Sequence, residues 1–226
     1  MNNRGRTYGI ALALLVSPLA VAAEKDGPGE SSAESAVAAS AEEVRPLLIG
    51  AKVPDMTLKT AKGKEVNMKK TVMEKPTVVI FYRGSWCPYC NLQLGRLQNI
   101  EADLIELGYQ LLAVSPDRPA KLAESLKKKD LKYTLLSDSD MDAAKSFGIA
   151  FRVADTALEK YEQYGIDLEK ASGKSHHLLP VPAVFILGTD GRVKFTYVNP
   201  DYKTRLAPDV LLQAAESALE RPAGEN

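Results

Sequence analysis

The chain has 226 residues, 45% of them apolar and 26% charged, which suits one well-buried domain and is too little for two large ones. Its 29 lysines and arginines balance 29 aspartates and glutamates, so no positive excess argues for a nucleic-acid partner. Soft chemistry is limited to two cysteines and two histidines.

The first residues carry Arg4 and Arg6, an apolar stretch from Ile10 to Val16, then Pro18 and small residues before Glu24. These are the three parts of a secretory signal peptide over residues 1–23, with cleavage after Ala23 or Ala22. The apolar stretch is shorter than the roughly 18 residues a spanning helix needs, so no stable membrane anchor is expected after cleavage. The expected location is periplasmic or secreted. Disulfides form and persist there, so both cysteines are expected oxidised unless a partner protein reduces them.

Residues 24–46 are rich in Ala, Ser, Glu and Gly and lack aromatics, a composition that buries too little to offset its ordering entropy. They read as a flexible linker, and residues 47–226 as the folded domain. No internal repeat is visible.

The domain opens with short alternating stretches marked by Pro54 and Gly63, an expected N-terminal hairpin. "PTVVIFY" follows, a continuous β-branched run suited to a strand buried on both faces. From Pro88, Leu92, Leu94, Leu97, Ile100, Leu104 and Leu107 recur near helical spacing until Gly108. Next come a strand in "YQLLAVSPD", a helix opened by Pro119, a strand in "KYTLLSD" and a short helix closing at Gly148. A polar insert from Phe151 to Leu179 holds a helix around residues 156–164, and His176-His177 sit near its end. Two strands joined at Thr189-Asp190-Gly191 read as a hairpin, and a helix opened by Pro208 completes the chain. Strands alternating with helices predict an α/β fold with parallel strands and right-handed crossovers.

Cys87 and Cys90 therefore fall where a strand ends and a helix begins. A thiolate is the nucleophile, and free N–H groups and the dipole at a helix N-terminus favour it. Cys87, the more exposed, is expected to attack, and Cys90 to resolve the mixed disulfide. A staple over so short a loop would constrain the unfolded chain weakly. A metal site needs about four ligands, and only the adjacent histidines are at hand, so no metal or other cofactor is expected.

Trp86-Cys87-Pro88-Tyr89-Cys90 resembles the thioredoxin superfamily, where a tryptophan precedes a Cys-x-x-Cys at a helix start. "GAKVPDMTLKTAKGKEV", "KPTVVIFY" and "YTLLSDSDMDAAKSFGI" look more specifically like the alkyl hydroperoxide reductase and thiol-specific antioxidant branch, the peroxiredoxins. The resemblance spans about Leu48 to Val198. It implies a thioredoxin-like fold, with a central mixed sheet flanked by helices and an N-terminal hairpin extension.

In that branch a hydroxyl residue lies three positions before the attacking cysteine. Aligned on "FYRGSWCPYC", the attacker is Cys90, Cys87 takes the hydroxyl position and Arg83 that of a loop proline. The arginine usually found before "AVFIL" is replaced by Pro182. Val181-Pro182 instead looks like the cis-proline loop that thioredoxins place opposite their cysteines, which makes Trp86, Val181 and Pro182 expected substrate-binding residues. The buried acid of thioredoxins is absent from "VVIFY".

Losing preorganised donors costs about a hundredfold or more each, so a fast peroxidase needs a substitute such as Arg83 or Arg152. The favoured reading is an exported thiol-disulfide oxidoreductase with Cys87 as nucleophile and Cys90 resolving. The alternative is a thiol-dependent peroxidase in which Cys90 attacks a peroxide and Cys87 condenses with the sulfenic acid. A third is a metal-binding or disulfide-stapled binding protein without catalysis. Either redox reading takes disulfides or peroxides as substrates and needs a reducing partner protein.

Overall fold

The structure, a computed structural model, describes Met1 and residues 37–129 and 133–219. The signal peptide read over residues 1–23, and residues 24–36 of the linker, lie outside the described residues. All elements below belong to one unit, Ser32–Asn226.

The expected N-terminal hairpin forms from β1 (Thr57–Thr60) and β2 (Glu65–Asn67), followed by a helix that periodicity did not announce, α1 (Met68–Glu74). Next come β3 (Thr77–Phe81), α2 (Pro88–Leu97), a 3-10 turn, α3 (Glu101–Glu106), β4 (Gln110–Ser115), α4 (Pro119–Lys129), β5 (Thr134–Ser137) and α5 (Asp142–Ser146). The insert contains β6 (Ala150–Arg152), α6 (Asp155–Gln163), α7 (Leu168–Ser172) and β7 (Leu178–Pro180). The chain ends with β8 (Ala183–Leu187), β9 (Val193–Val198) and α8 (Pro208–Leu219).

Seven strands form one mixed sheet in the order β2-β1-β5-β4-β3-β8-β9. β3, β4 and β5 run parallel, while β1 is antiparallel to β5 and β8 to β3. This is the mixed, helix-flanked sheet of a thioredoxin-like fold. Strand β3 lies inside it, between β4 and β8, and the alternate side chains of β3 and Tyr82 just after it enter two different cores. Val79 and Phe81 join Leu112, Val114, Phe147 and Phe185 on one face. Val78, Ile80 and Tyr82 join Leu94, Leu97, Leu104 and both cysteines on the other. The helical spacing after Pro88 holds except at Leu92, which is 52% exposed.

The boundary of the folded part differs from the expected one. From Val37 on, the chain already contacts the domain: Ala38 N–H donates to the Ala150 carbonyl, and Arg152 N–H to the Ala38 carbonyl, each at 3.0 Å. This single bridge satisfies backbone groups along an edge of β6 that would otherwise lack sheet partners, a gain that composition does not reveal. Further on, Leu47 N–H donates to the Phe147 carbonyl at 3.1 Å, at the end of α5. Gly148 sits beside this contact with φ +67, and a Cβ there would fall on the Arg45 carbonyl oxygen. Gly148→Ala is expected to destabilise the protein by about 2–3 kcal/mol, combining left-handed strain with the clash; urea midpoints of the two proteins measure it.

Candidate active site

β3 ends at Phe81, and the turn that follows requires glycine. Gly84 has φ +145, and a Cβ on it would meet the Trp86 indole and lie 3.1 Å from Asp117 Oδ1. Asp117, buried after β4, accepts from Ser85 N–H at 2.6 Å, and the Asn91 amide donates to the Ser85 carbonyl at 3.0 Å. These bonds fix the loop so that Cys87 becomes the N-cap of α2, with Pro88 at its first position and Cys90 in its first turn.

Both cysteines are free thiols, 1% and 0% exposed. They share a hydrogen bond that puts the negative charge on Cys87. Accepting from Cys90 lowers the Cys87 thiol to about 6 against the opposing effect of burial, with Arg83 and Arg205 helping. Burial, together with the bond to Cys87, pushes Cys90 well up, while Arg205 and a backbone bond from Arg83 oppose the rise. Because the Cys87 thiol is depressed in the folded protein, its thiolate stabilises the reduced form above the ordinary thiol range. That contribution is lost as pH falls through about 6. Thiolate ultraviolet absorbance of the reduced protein should titrate near this value, and the stability advantage of reduced wild type over Cys87→Ser should shrink below it.

Sequence reasoning missed Arg205. Its Nη2 donates to Cys90 Sγ at 3.5 Å, from a loop 115 positions downstream, while its Nε and Nη1 are buried without hydrogen-bond partners. No local pattern marks this residue, since the chain fold alone brings the loop between β9 and α8 to the cysteines. Of the two suggested substitutes, Arg152 is exposed and bonds the His176 carbonyl at 3.3 Å. Arg83 is 4% exposed and lies over Tyr202, Trp86 and Tyr161, with its guanidinium carbon 4.1, 5.1 and 5.5 Å from the ring centres. It donates to the Tyr161 hydroxyl.

Trp86 does stand beside the pair, half-buried and 5.6 Å from Tyr161 of α6. It packs against a small core of Val153, Leu168 and Leu179, so the insert covers this end of the site. The cis-proline geometry expected at Val181-Pro182 is corrected. No cis peptide occurs among the described residues, and both residues are buried. Val181 N–H is already bonded to the Ile149 carbonyl at 2.8 Å, and the Pro182 carbonyl accepts from Asn199 at 3.3 Å. These backbone groups are therefore engaged inside the protein and present no edge to a substrate chain. Among the described residues no group of three or more His, Cys, Asp or Glu could hold a metal. His176 is satisfied by backbone groups, facing the Ser139 carbonyl at 2.9 Å and accepting from Leu178 N–H at 2.9 Å.

The chain is 28% identical over 170 residues to Peroxiredoxin Bcp of Escherichia coli, covering 75% of this chain and 96% of that protein. A bcp relative from Haemophilus influenzae is 36% identical over 106 residues, 47% of this chain and 68% of that one. Among solved structures, reduced Prx3 from Vibrio vulnificus aligns with a TM-score of 0.62 at 16% identity, over 75% of this chain and 99% of that chain. Peroxidoxin BcpB from Mycobacterium tuberculosis gives 0.59 at 19%, over 75% and 96%; at these identities the likeness shows the fold. The AhpC/TSA family model matches residues 49–196, most of the sheet together with both cysteines, and the chain belongs to that family.

Proposed function

We propose that the protein is a thiol-dependent peroxidase in which Cys90 attacks the peroxide and Cys87 resolves. The observation that carries this is the Arg205 Nη2 bond to Cys90 Sγ, with the Nε and Nη1 hydrogens of the same guanidinium unpartnered. In this reading they are the donors that meet the oxygens of the peroxide. Family membership supports the same reading, as does the name of the Escherichia coli relative.

The resting pair carries one negative charge. Moving the shared proton from Cys90 to Cys87 makes Cys90 the thiolate, held by Arg205 and by the Arg83 backbone. Its sulfur attacks the terminal peroxide oxygen: an S–O bond forms, the O–O bond breaks, and the departing alkoxide or hydroxide takes a proton. Cys87, whose thiol is low enough to ionise near neutrality, then attacks the Cys90 sulfenic sulfur. The S–S bond forms and hydroxide leaves as water after taking a proton. Two thiols and one hydroperoxide thus give a disulfide, an alcohol and water. A dithiol partner supplies the two electrons that restore the pair. With the leader read from residues 1–23, we assign the reaction to an exported, periplasmic or secreted protein.

Thiol-disulfide exchange through Cys87 remains the second reading, favoured by the thiolate on that sulfur. Its support has narrowed, because Pro182 does not form the expected loop and Cys87 is 1% exposed. A protein disulfide reaches such a sulfur only if the loop opens, whereas a small hydroperoxide needs far less room. The test is stopped-flow mixing of the fully reduced protein with hydrogen peroxide and, separately, with a disulfide-bonded protein, followed by the single tryptophan. Rapid, saturable oxidation by peroxide with slow exchange is expected; the reverse order of rates establishes the exchange reading.

A further inference from the structure

Arg83 lines a cavity of about 260 Å³ that the proposed reaction leaves unused. Its walls are apolar where β6, α6, the junction before β8 and the loop after β9 meet, formed by Phe151, Val153, Ala157, Pro182 and Pro200. Tyr161 and Tyr202 flank it, and residues 39–42 of the N-terminal segment close one side. The charged group at its inner end is Arg83. Arg152 and Glu42 also line it, both exposed, so they offer opposite charges at the open side.

Arg83 is unusual in three respects. It is 4% exposed. No salt bridge joins it to a carboxylate among the described residues, and its Nε is buried without a hydrogen-bond partner. A buried guanidinium lacking an anionic partner is costly. Faces of Tyr202, Trp86 and Tyr161 offset part of that cost. The remaining compensation is the negative charge on the cysteine pair, since Arg83 acts on Cys87 electrostatically. That charge exists only in the reduced protein. Disulfide formation takes two electrons from the pair, and the thiolate charge goes with them.

We propose that the cavity is a binding site for a small amphipathic carboxylate, its head group on Arg83 and its apolar chain along Phe151, Val153 and Pro182, and that it is occupied preferentially when Cys87 and Cys90 are oxidised. A cation is disfavoured by the buried guanidinium, and a wholly apolar ligand leaves the Arg83 Nε unsatisfied. Coupling between two sites is reciprocal. A bound carboxylate therefore stabilises the disulfide form and makes re-reduction harder. The disulfide linkage rests on the redox cycle proposed above, while the existence of the site does not.

The probe is hexanoate, with hexanamide as its uncharged counterpart. Binding is followed by calorimetry and by Trp86 fluorescence, on full-length protein oxidised with diamide or reduced with dithiothreitol. Hexanoate is expected to bind oxidised protein at least about tenfold more tightly than reduced protein, and hexanamide to bind neither form measurably. Saturating hexanoate should correspondingly lower the reduction potential of the pair by at least about 30 mV. Arg83→Met should lose binding and Arg83→Lys should recover part of it. Equal affinity of the two redox forms overturns the linkage, and equal affinity of hexanoate and hexanamide overturns the carboxylate site, both on wild-type protein alone. These measurements need no turnover, so a chain that binds hexanoate yet ignores peroxide separates this inference from the proposed activity.

Discussion

Cys90→Ser is expected to abolish peroxide-driven turnover, a loss on the order of a thousandfold or more, whereas Cys87→Ser is expected to keep a single rapid reaction with peroxide and lose only the cycle. The asymmetry follows from position. Cys90 alone accepts a hydrogen bond from the Arg205 guanidinium and a backbone bond from Arg83. The serine of Cys87→Ser still offers a hydrogen-bond donor to Cys90, but no sulfur to close the disulfide. Dimedone labelling with mass spectrometry of the two variants after one equivalent of peroxide reads the result directly: label on Cys90 in Cys87→Ser, none in Cys90→Ser. If label collects instead on Cys87 in Cys90→Ser, the thiolate assigned to Cys87 is also the attacking group, and the roles of the two sulfurs are exchanged.

Most of the scaffold behind this experiment was legible in the sequence because it follows local rules. The apolar run before Arg83 is β3, Pro88 opens α2, Pro119 opens α4, and the Thr189-Asp190-Gly191 turn joins β8 to β9. What stayed hidden depends on contacts between distant segments. α1 and the β6–β7 ribbon are short and take their stability from packing rather than periodicity. The edge pairing of Ala38 with β6 occurs in a stretch whose composition reads as linker. Within the site, the cysteine spacing fixed the pair and its place on α2, and the family resemblance made Cys90 the peroxide-attacking sulfur. The guanidinium was expected beside the strand "AVFIL", or from Arg83 or Arg152, and the one that reaches Cys90 belongs to Arg205. Val181-Pro182 misled for the same reason: a proline before a strand fixes its own φ but not the isomer of the preceding bond or the partners of its neighbours.

Arg205→Met should slow peroxide oxidation by about 10²–10³-fold, the usual effect of removing one preorganised donor from a developing oxyanion. Arg205→Lys should recover only part of this, because an ammonium is a point charge where the guanidinium offers a planar fork of donors. A merely structural role for Arg205 would lower the denaturation midpoint and leave the pH dependence in place. A direct role makes a further demand. Arg205 lowers both thiols, so its loss should move the rise of the oxidation rate to higher pH, in the same direction for peroxide and for a thiol alkylating reagent. Peroxide should suffer the additional donor loss that the alkylating reagent, with no oxyanion to stabilise, does not. The ratio of the two rates, measured at a pH where the thiolate is fully formed in both proteins, therefore separates acidification of the pair from stabilisation of the departing oxygen. A ratio unchanged from wild type would leave Arg205 as a positioning residue for the thiolate and return the peroxide-binding role to Arg83.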